Sequence, residues 1–380
     1  MKPQLKRLRD QVVVLTGATS GIGLATARRA ADRGARLVLA ARNEDALRQL
    51  AFELSRKGCE ALPVVADVGI EEDMRRVATE AVNRFGGIDT WINNAGVSIF
   101  GRLEEVAMED HRQLFQTNFW GVVHGSLAAV EHMRQQGGAI INLGSEVSDR
   151  AVPLQGMYSA SKHAVKGFTD ALRMEVEEAG LPLSVTLIKP AAIDTMFVAH
   201  AKNYLEVEPQ LPPPIYAPEV AADAILHAAE FPTRDLFVGG AAKAISSAAH
   251  FAPRMMDRIM ERMMFSQQKS SMPPRDRSVH SLYKPRADLQ ERQGYPGVVF
   301  RNSVYTSAAT RPKTTLTAAA AGLGVLAWLM MRERRPANRA PVAHLPADQR
   351  PAGALVAEYR ATEHRPPDMR PGPEPTPVAP

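Results

Sequence analysis

Seven short apolar runs alternate with longer amphipathic stretches between residue 11 and about residue 240. They are VVVLTG at 12–17, ARLVLAAR at 35–42, ALPVVADV at 61–68, DTWINNAG at 89–96, GAIINLGS at 138–145, LSVTLIKP at 183–190 and DLFVGG at 235–240. Runs of this length, bounded by turn residues and rich in Val, Ile and Leu, read as strands buried on both faces. The stretches between them show helical periodicity and would cover those faces. The alternation predicts an α/β fold: a doubly wound parallel sheet, Rossmann-like, with a C-terminal helical and irregular extension. In such sheets ligands bind beyond the carboxyl ends of the strands, near the switch point.

A chain of 380 residues exceeds one domain of this kind, roughly 250 residues. The pattern divides it into the sheet domain at 1–245, an extension with an amphipathic helix at 246–315, an apolar run at 316–331 and a Pro/Arg-rich tail at 332–380 that reads as disordered. In the extension, Met255, Met256, Ile259, Met260, Met263 and Met264 recur at helical spacing, with charged residues between them. Such a helix is expected to dock on an apolar surface. Residues 266–315 are polar and read as irregular or extended.

The charge is unevenly placed. Residues 1–250 carry 26 basic and 30 acidic side chains, and residues 251–380 carry 20 and 11. An acidic sheet domain excludes a nucleic-acid binder, and the basic extension points to a membrane surface or an acidic partner. The apolar run LTAAAAGLGVLAWLMM holds no charge, has Trp328 near one end, and is flanked by Lys313, Arg332, Arg334 and Arg335. As a helix it spans about 24 Å, short of a hydrocarbon core of about 30 Å. Membrane anchorage and burial against protein both remain open for it. The basic N-terminus is followed by only the four-residue run Val12–Leu15 before a glycine turn, too short for a secretory leader. The single cysteine, Cys59, excludes an intrachain disulfide. His111, His124, His132 and His163 show no metal-ligand grouping. The acidic residues of EEVAMED, at 104–110, read as a solvated helix start.

The first strand runs straight into TGATSGIG at 16–23. Thr16, Gly17, Ser20, Gly21, Ile22 and Gly23 form a turn that opens a helix. Glycine permits the tight turn and close approach of a pyrophosphate, whose charge a helix N-terminus favours. At the end of the second strand an acidic residue would bond a ribose 2′-hydroxyl. This chain has Arg42 there, which suits a 2′-phosphate and favours NADP (NADPH) over NAD. Tyr158 and Lys162 in YSASK share one helix face, and Ser145 lies upstream. A nearby cation stabilises a phenolate, so Lys162 is expected to lower the Tyr158 pKa from about 10. A tyrosine so placed can exchange a proton with a carbonyl or alcohol oxygen. A lone Y-x-x-x-K is more often a surface helix feature; the glycine turn and Ser145 give it weight. Met196, Phe197, Val198 and Tyr204, in the variable segment 196–217, point to an apolar substrate or to a lid packed on the core.

Over residues 9–240 the chain resembles the short-chain dehydrogenase/reductase family. The matching motifs are TGATSGIG, DV at 67–68, NNAG at 93–96, Asn118 in TNFWG, Ser145, YSASK and KPAAIDT at 189–195. The resemblance implies an NAD(P)-dependent oxidoreductase acting on CH–OH or C=O groups. By it, Asp67 meets the adenine, Val68 supports it through its backbone, Asn94 lies near the adenosine ribose, and Ala95 and Gly96 also bind the cofactor. Ile193 and Thr195 hold the carboxamide. Tyr158 is the proton donor, Ser145 orients the substrate oxygen, Lys162 also bonds the nicotinamide ribose, and Asn118 holds a relay water. Where the family often has Pro-Gly, this chain has Pro190-Ala191. The family also implies a homo-oligomer built on helices around 111–133 and 158–180, and NADPH supply implies a cytoplasmic catalytic domain, membrane-anchored if 316–331 inserts. A non-catalytic dinucleotide sensor or scaffold of the same fold is the alternative; the presence of Tyr158 and Lys162 weighs against it.

Overall fold

The computed structural model describes residues 3–240, 243, 246, 251–286 and 289–310. The apolar run 316–331 and the tail 332–380 lie outside them. Seven parallel strands form the central sheet: β1 (Val12–Thr16), β2 (Arg36–Ala41), β3 (Ala61–Val65), β4 (Thr90–Asn93), β6 (Gly138–Leu143), β7 (Leu183–Pro190) and β10 (Asp235–Val238). They are ordered β3-β2-β1-β4-β6-β7-β10, so the switch point falls between β1 and β4. In register, Val14 faces Val38 on one side and Trp91 on the other.

Each apolar run of the sequence contains one of these strands, and helices cover both faces of the sheet. Helices α1 (Gly21–Asp32), α2 (Glu44–Ser55) and α8 (Pro218–Glu230) bury Leu24, Leu47 and Ile225 on one face. Helices α3 (Glu71–Phe85), α5 (Gly121–Met133) and α6 (Gly156–Glu178) bury Met74, Ala129 and Leu172 on the other. Between α4 (Met108–Phe115) and α5 the helix widens into one π turn, Gln116–Trp120. A buried polar network pins this side. Asn93 donates to Asn142 at 2.8 Å and Ser126 at 3.0 Å, Trp91 donates to Asn93 at 2.8 Å, and Asn142 donates to Thr169 at 3.0 Å. Gly125 makes room for it, since a Cβ there would sit 2.2 Å from the Asn93 Oδ1.

The two-residue strands β5 (Ile99–Phe100) and β8 (Lys202–Asn203) pair beside the lid, which begins with α7 (Phe197–His200). The extension is more regular than its polar sequence suggests. Its strand β11 (Val299–Phe300) pairs with β9 (Ile215–Tyr216), and helix α10 (Val304–Thr310) caps β10. Thr306 accepts the Gly239 N–H at 3.0 Å and donates to the Phe237 carbonyl at 3.4 Å. Helix α9 (Pro253–Gln267) buries Met256 and Met260 beside Val152. Met255, Ile259 and Met263 stay exposed, because the apolar arc is wider than the surface that receives it.

One expectation is corrected here. Asp110, read as part of a solvated helix start, is 2% exposed. It accepts from Tyr204 Oη at 2.5 Å and Tyr283 Oη at 2.6 Å, and pairs with Lys202 at 2.5 Å. The partners come from the lid and the extension, out of reach of any local reading. Among the described residues no helix is long and apolar enough to cross a membrane.

Candidate active site

The glycine turn is built around absent side chains. Gly17 (φ +66°) and Gly21 (φ +54°) adopt left-handed backbone, and a Cβ on Gly23 would fall 2.1 Å from the Gly17 carbonyl. Thr16, buried, accepts the Asn94 and Ala95 N–H groups at 3.0 and 3.2 Å. The Asn94 amide donates in turn to the Thr16 and Gly17 carbonyls at 3.0 and 3.1 Å. These bonds join the ends of β1 and β4 across the switch point. Ser20 stands at the N-cap of α1 without capping it through its side chain, and the first turn of the helix lines the cleft. Thr195, from the end of β7, packs against Gly21, and Ile193 is buried in a bridge to Tyr216.

A cavity of about 320 Å³ runs from this turn to the end of α6, lined by Ser20, Gly21, Arg42, Asp67, Ser145, Tyr158 and Lys162 among others. Val68, Ala95, Gly96, Ile193 and Thr195 also face it. Thr16, Gly23 and Asn118 stand behind its wall. A helix N-terminus with no side-chain cap, glycines with no room for Cβ atoms and an arginine at the far end make a cradle that fits a dinucleotide, although the first N–H of the helix, that of Gly21, is already given to the Gln290 carbonyl at 2.9 Å.

At the β2 end, Asn43 caps α2 by accepting the Ala46 N–H at 2.8 Å, which fixes the residue before it. Arg42 donates from Nη2 to the Ser281 carbonyl at 2.5 Å, and from Nη1 to the Tyr283 and Leu282 carbonyls at 3.2 and 3.5 Å. Its Nη1 lies 3.9 Å from Asp67 Oδ2. Burial lowers the Arg42 pKa and Asp67 opposes that. Asp67 also accepts the Gly69 N–H at 2.9 Å, and Val68 packs on Gly121. The contact of the extension with Arg42 had no signal in the sequence.

At the other end, Ser145 heads a short turn, Glu146–Ser148, and accepts the Val147 N–H at 3.3 Å. Its side chain lies close enough to Tyr158 to lower the pKa of the phenol. Lys162, one turn along α6, donates to the Leu143 carbonyl at 2.7 Å and lies 5.8 Å from the Tyr158 ring centroid. Gly96 is where these groups meet: a Cβ there would be 3.4 Å from Asn118 Oδ1 and 4.0 Å from Lys162 Nζ. The Asn118 side chain accepts the Val97 N–H at 2.8 Å and donates to the Val97 carbonyl at 2.9 Å and to Ser161 at 3.3 Å, clamping the NNAG loop to the π turn.

The electrostatics differ from the sequence expectation. Burial pushes the Tyr158 phenol up; the Ser145 side chain lowers it and the Glu146 charge raises it further. Burial pushes Lys162 down to about 8. Desolvation is the largest influence on both groups. Glu146, by burial, is pushed up to about 7.

The remaining wall is apolar: Val152, Met196, Phe197, Leu211, Met260 and Met264. Phe197 meets Tyr158 edge-on at 5.2 Å. Glu146, Arg150 and Gln268 interrupt this wall. Gln268 donates to the Pro153 and Met264 carbonyls at 2.8 and 3.1 Å, and its buried Oε1 has no partner. The sequence signalled the methionine stripe but not where it lands. Among the described residues no cluster of His, Cys, Asp or Glu could hold a metal ion.

A parallel sheet with a glycine turn at its switch point and a Ser, Tyr and Lys group at the same edge defines a dinucleotide-binding protein with acid–base groups at one end of its cleft. Comparison with known proteins sharpens this. A family model for short chain dehydrogenase matches residues 11–205. An uncharacterized oxidoreductase, YxnA of Bacillus subtilis (strain 168), is 46% identical over 337 residues, 88% of this chain and 94% of that protein. The 11-beta-hydroxysteroid dehydrogenase A of Sesamum indicum is 40% identical over 187 residues, 49% of this chain and 53% of that protein. Two solved structures share the fold. One is an alcohol dehydrogenase from Thermococcus sibiricus complexed with 5-hydroxy-NADP (29% identity, TM-score 0.53, 60% of this chain and 95% of that one). The other is a short chain dehydrogenase/reductase from Burkholderia phymatum in complex with NAD (26% identity, TM-score 0.57, 70% and 98%). The chain belongs to the short-chain dehydrogenase/reductase family, and is an NAD(P)-dependent oxidoreductase acting on CH–OH and C=O groups.

Proposed function

We propose that this enzyme uses NADP to move hydride between the nicotinamide and a carbonyl or secondary alcohol of an apolar substrate. The observation that carries the proposal is the meeting of Ser145, Tyr158 and Lys162 at an apolar-walled cavity that continues to Arg42. When bound, the dinucleotide supplies or accepts the hydride. Thr16, Gly17, Ser20, Gly21, Ile22 and Gly23 would cradle its pyrophosphate, Asp67 and Val68 its adenine, Asn94, Ala95 and Gly96 the adenosine ribose, and Ile193 and Thr195 the carboxamide. Ser145 orients the substrate oxygen. Tyr158 gives that oxygen a proton in reduction and takes one in oxidation. A phenol is protonated at neutral pH, the form that donates in reduction. Lys162 would bond the nicotinamide ribose and return the proton to Tyr158 through a water held near Asn118.

A preference for NADP is supported by the unused edge of Arg42. A guanidinium has five N–H donors. The carbonyls of residues 281–283 take three, which leaves Nε–H and one Nη2–H, an adjacent pair that fits a phosphate. An apolar substrate is supported by the Met260, Met264 and Phe197 wall, and by the sesame relative, named for a hydroxysteroid. Exposed Leu127 on α5 and Met174 on α6 support a homo-oligomer through those helices. The run 316–331, with its Trp328 and basic flanks, is proposed to hold the enzyme at a membrane with its catalytic domain in the cytoplasm.

Tyr158→Phe tests the proposal. The phenyl ring keeps its contact with Phe197 and loses only the oxygen. Turnover of NADPH with a panel of ketones and aldehydes is expected to fall about 10²- to 10⁴-fold, with NADPH binding unchanged by fluorescence titration. Turnover within a few-fold of wild type would remove Tyr158 from the acid role.

A further inference from the structure

The sheet domain alone is a poor reader of a 2′-phosphate. Asp67 lies 3.9 Å from Arg42, so the pair carries no net charge at the adenosine end. A phosphate monoester carries close to two negative charges at neutral pH.

Residues 281–283 are fastened to the rim of the cleft. The Ser281 N–H donates to the His200 carbonyl at 2.8 Å, Tyr283 Oη donates to Asp110 at 2.6 Å, and the three carbonyls receive Arg42. Residues 290–292 are fastened on the other side. The Gln290 carbonyl accepts the N–H of Gly21 at 2.9 Å, Glu291 pairs with Arg28 at 2.7 Å, and Arg292 forks onto Glu219 at 2.6 and 2.7 Å. Between these moorings, Arg286 lines the same cavity as Arg42, Asn43 and Asp67. It is three residues beyond Tyr283, so their Cα atoms are within about 10 Å. Pro285 stiffens the connection by fixing its own φ and keeping Lys284 extended. Arg28 and Arg292 are neutralised by acids, whereas among the described residues no carboxylate pairs with Arg286.

We propose that Arg286 is a second specificity residue for the adenosine 2′-phosphate, delivered across the cleft by the C-terminal extension. This rests on the NADP reading above. With Arg286 the adenosine end gains one net positive charge. Arg42 would bind the phosphate through its Nε–H edge while the extension carbonyls hold its other edge still. The extension thus takes part in choosing the cofactor.

Dissociation constants decide it, without turnover. NADPH, NADH, 2′,5′-ADP and 5′-ADP are titrated calorimetrically against full-length wild type, Arg286→Ala, Arg286→Lys and Arg42→Ala. Arg286→Ala is expected to weaken NADPH and 2′,5′-ADP about tenfold, equivalent to about 1.4 kcal/mol. NADH and 5′-ADP are expected to shift less than about twofold. Arg286→Lys should recover part of the loss, since the charge remains and the fork does not. If Arg286→Ala weakens all four ligands equally, or none, the proposal is overturned. If wild type prefers NADPH and only Arg42→Ala removes that preference, Arg286 falls and the NADP reading stands. If wild type binds NADH as tightly as NADPH, the NADP reading itself fails and Arg286 falls with it.

Discussion

Glu146 follows Ser145 directly, faces the cavity, and has no counter-ion among the described residues. Burial holds its carboxyl near 7, where a free glutamate titrates near 4.5. The folded state therefore keeps a proton that the unfolded chain releases. Stability falls as pH rises from about 4.5 to about 7, and the penalty is complete above 7. A glutamine has no such penalty. Glu146→Gln is expected to melt a few degrees above wild type at pH 8, with the gap closing at pH 4; thermal unfolding at both pH values measures it. A gap independent of pH would mean that Glu146 is not desolvated. Lys162 has the opposite sign. Burial lowers it to about 8, so the unfolded chain binds more protons between about 8 and 10.5 and stability rises with pH there. Removing the Glu146 charge should also ease ionisation of Tyr158, which that charge opposes.

Helix α9 shows how one apolar pattern divides between two surroundings. Met256 and Met260 point inward at 6% exposure, whereas Met255 and Met263 are 56% and 44% exposed. Arg150 of the sheet domain pairs with Asp257 and sets the rotation of the helix. Burying a methionine fully is worth about 2–5 kcal/mol against alanine, and the small cluster around Met260 can collapse in part. Met260→Ala is expected to lose about 2 kcal/mol in urea unfolding, and Met255→Ala less than about 0.5 kcal/mol. Equal losses would show that the helix is rotated or packed on both stripes. Met260 also lines the cavity, so its removal should change the ranking of ketone substrates, which Met255→Ala should leave alone.

At the scale of the molecule, the described part of the extension is a component of the enzyme. It adds a strand beside β9, a helix over β10, a wall to the cavity and three carbonyls to Arg42. A truncation series separates this from the residues beyond. A chain ending at Thr310 keeps every one of these contacts and lacks the apolar run at 316–331. It is expected to reduce ketones with NADPH like the full chain and to stay in the soluble fraction, while the full chain sediments with membranes until detergent is added. A chain ending at residue 250 loses β11, α9 and α10 and should aggregate or melt several degrees lower. Full-length protein in the soluble fraction without detergent would sink the membrane proposal. A stable, active chain ending at residue 250 would show that the extension is dispensable.

What the sequence determined was local in origin. Strand and helix periods, the left-handed glycines of the turn and the one-turn spacing of Tyr158 and Lys162 all depend on neighbours within a few residues. The seven apolar runs therefore became the seven strands of the sheet, and the motifs gathered at its carboxyl edge. The tertiary structure alone decided what meets across long separations. Arg42 bonds carbonyls some 240 residues away, Asp110 is buried by tyrosines of the lid and the extension, and Gly21 gives its N–H to Gln290. A polar, proline-dotted segment has no periodicity to show where it docks, because its contacts are single main-chain bonds and ion pairs rather than a repeating apolar face. Desolvation was hidden for the same reason. The cation expected to lower the Tyr158 pKa is present in the sequence, but the burial that raises it belongs to the packed molecule.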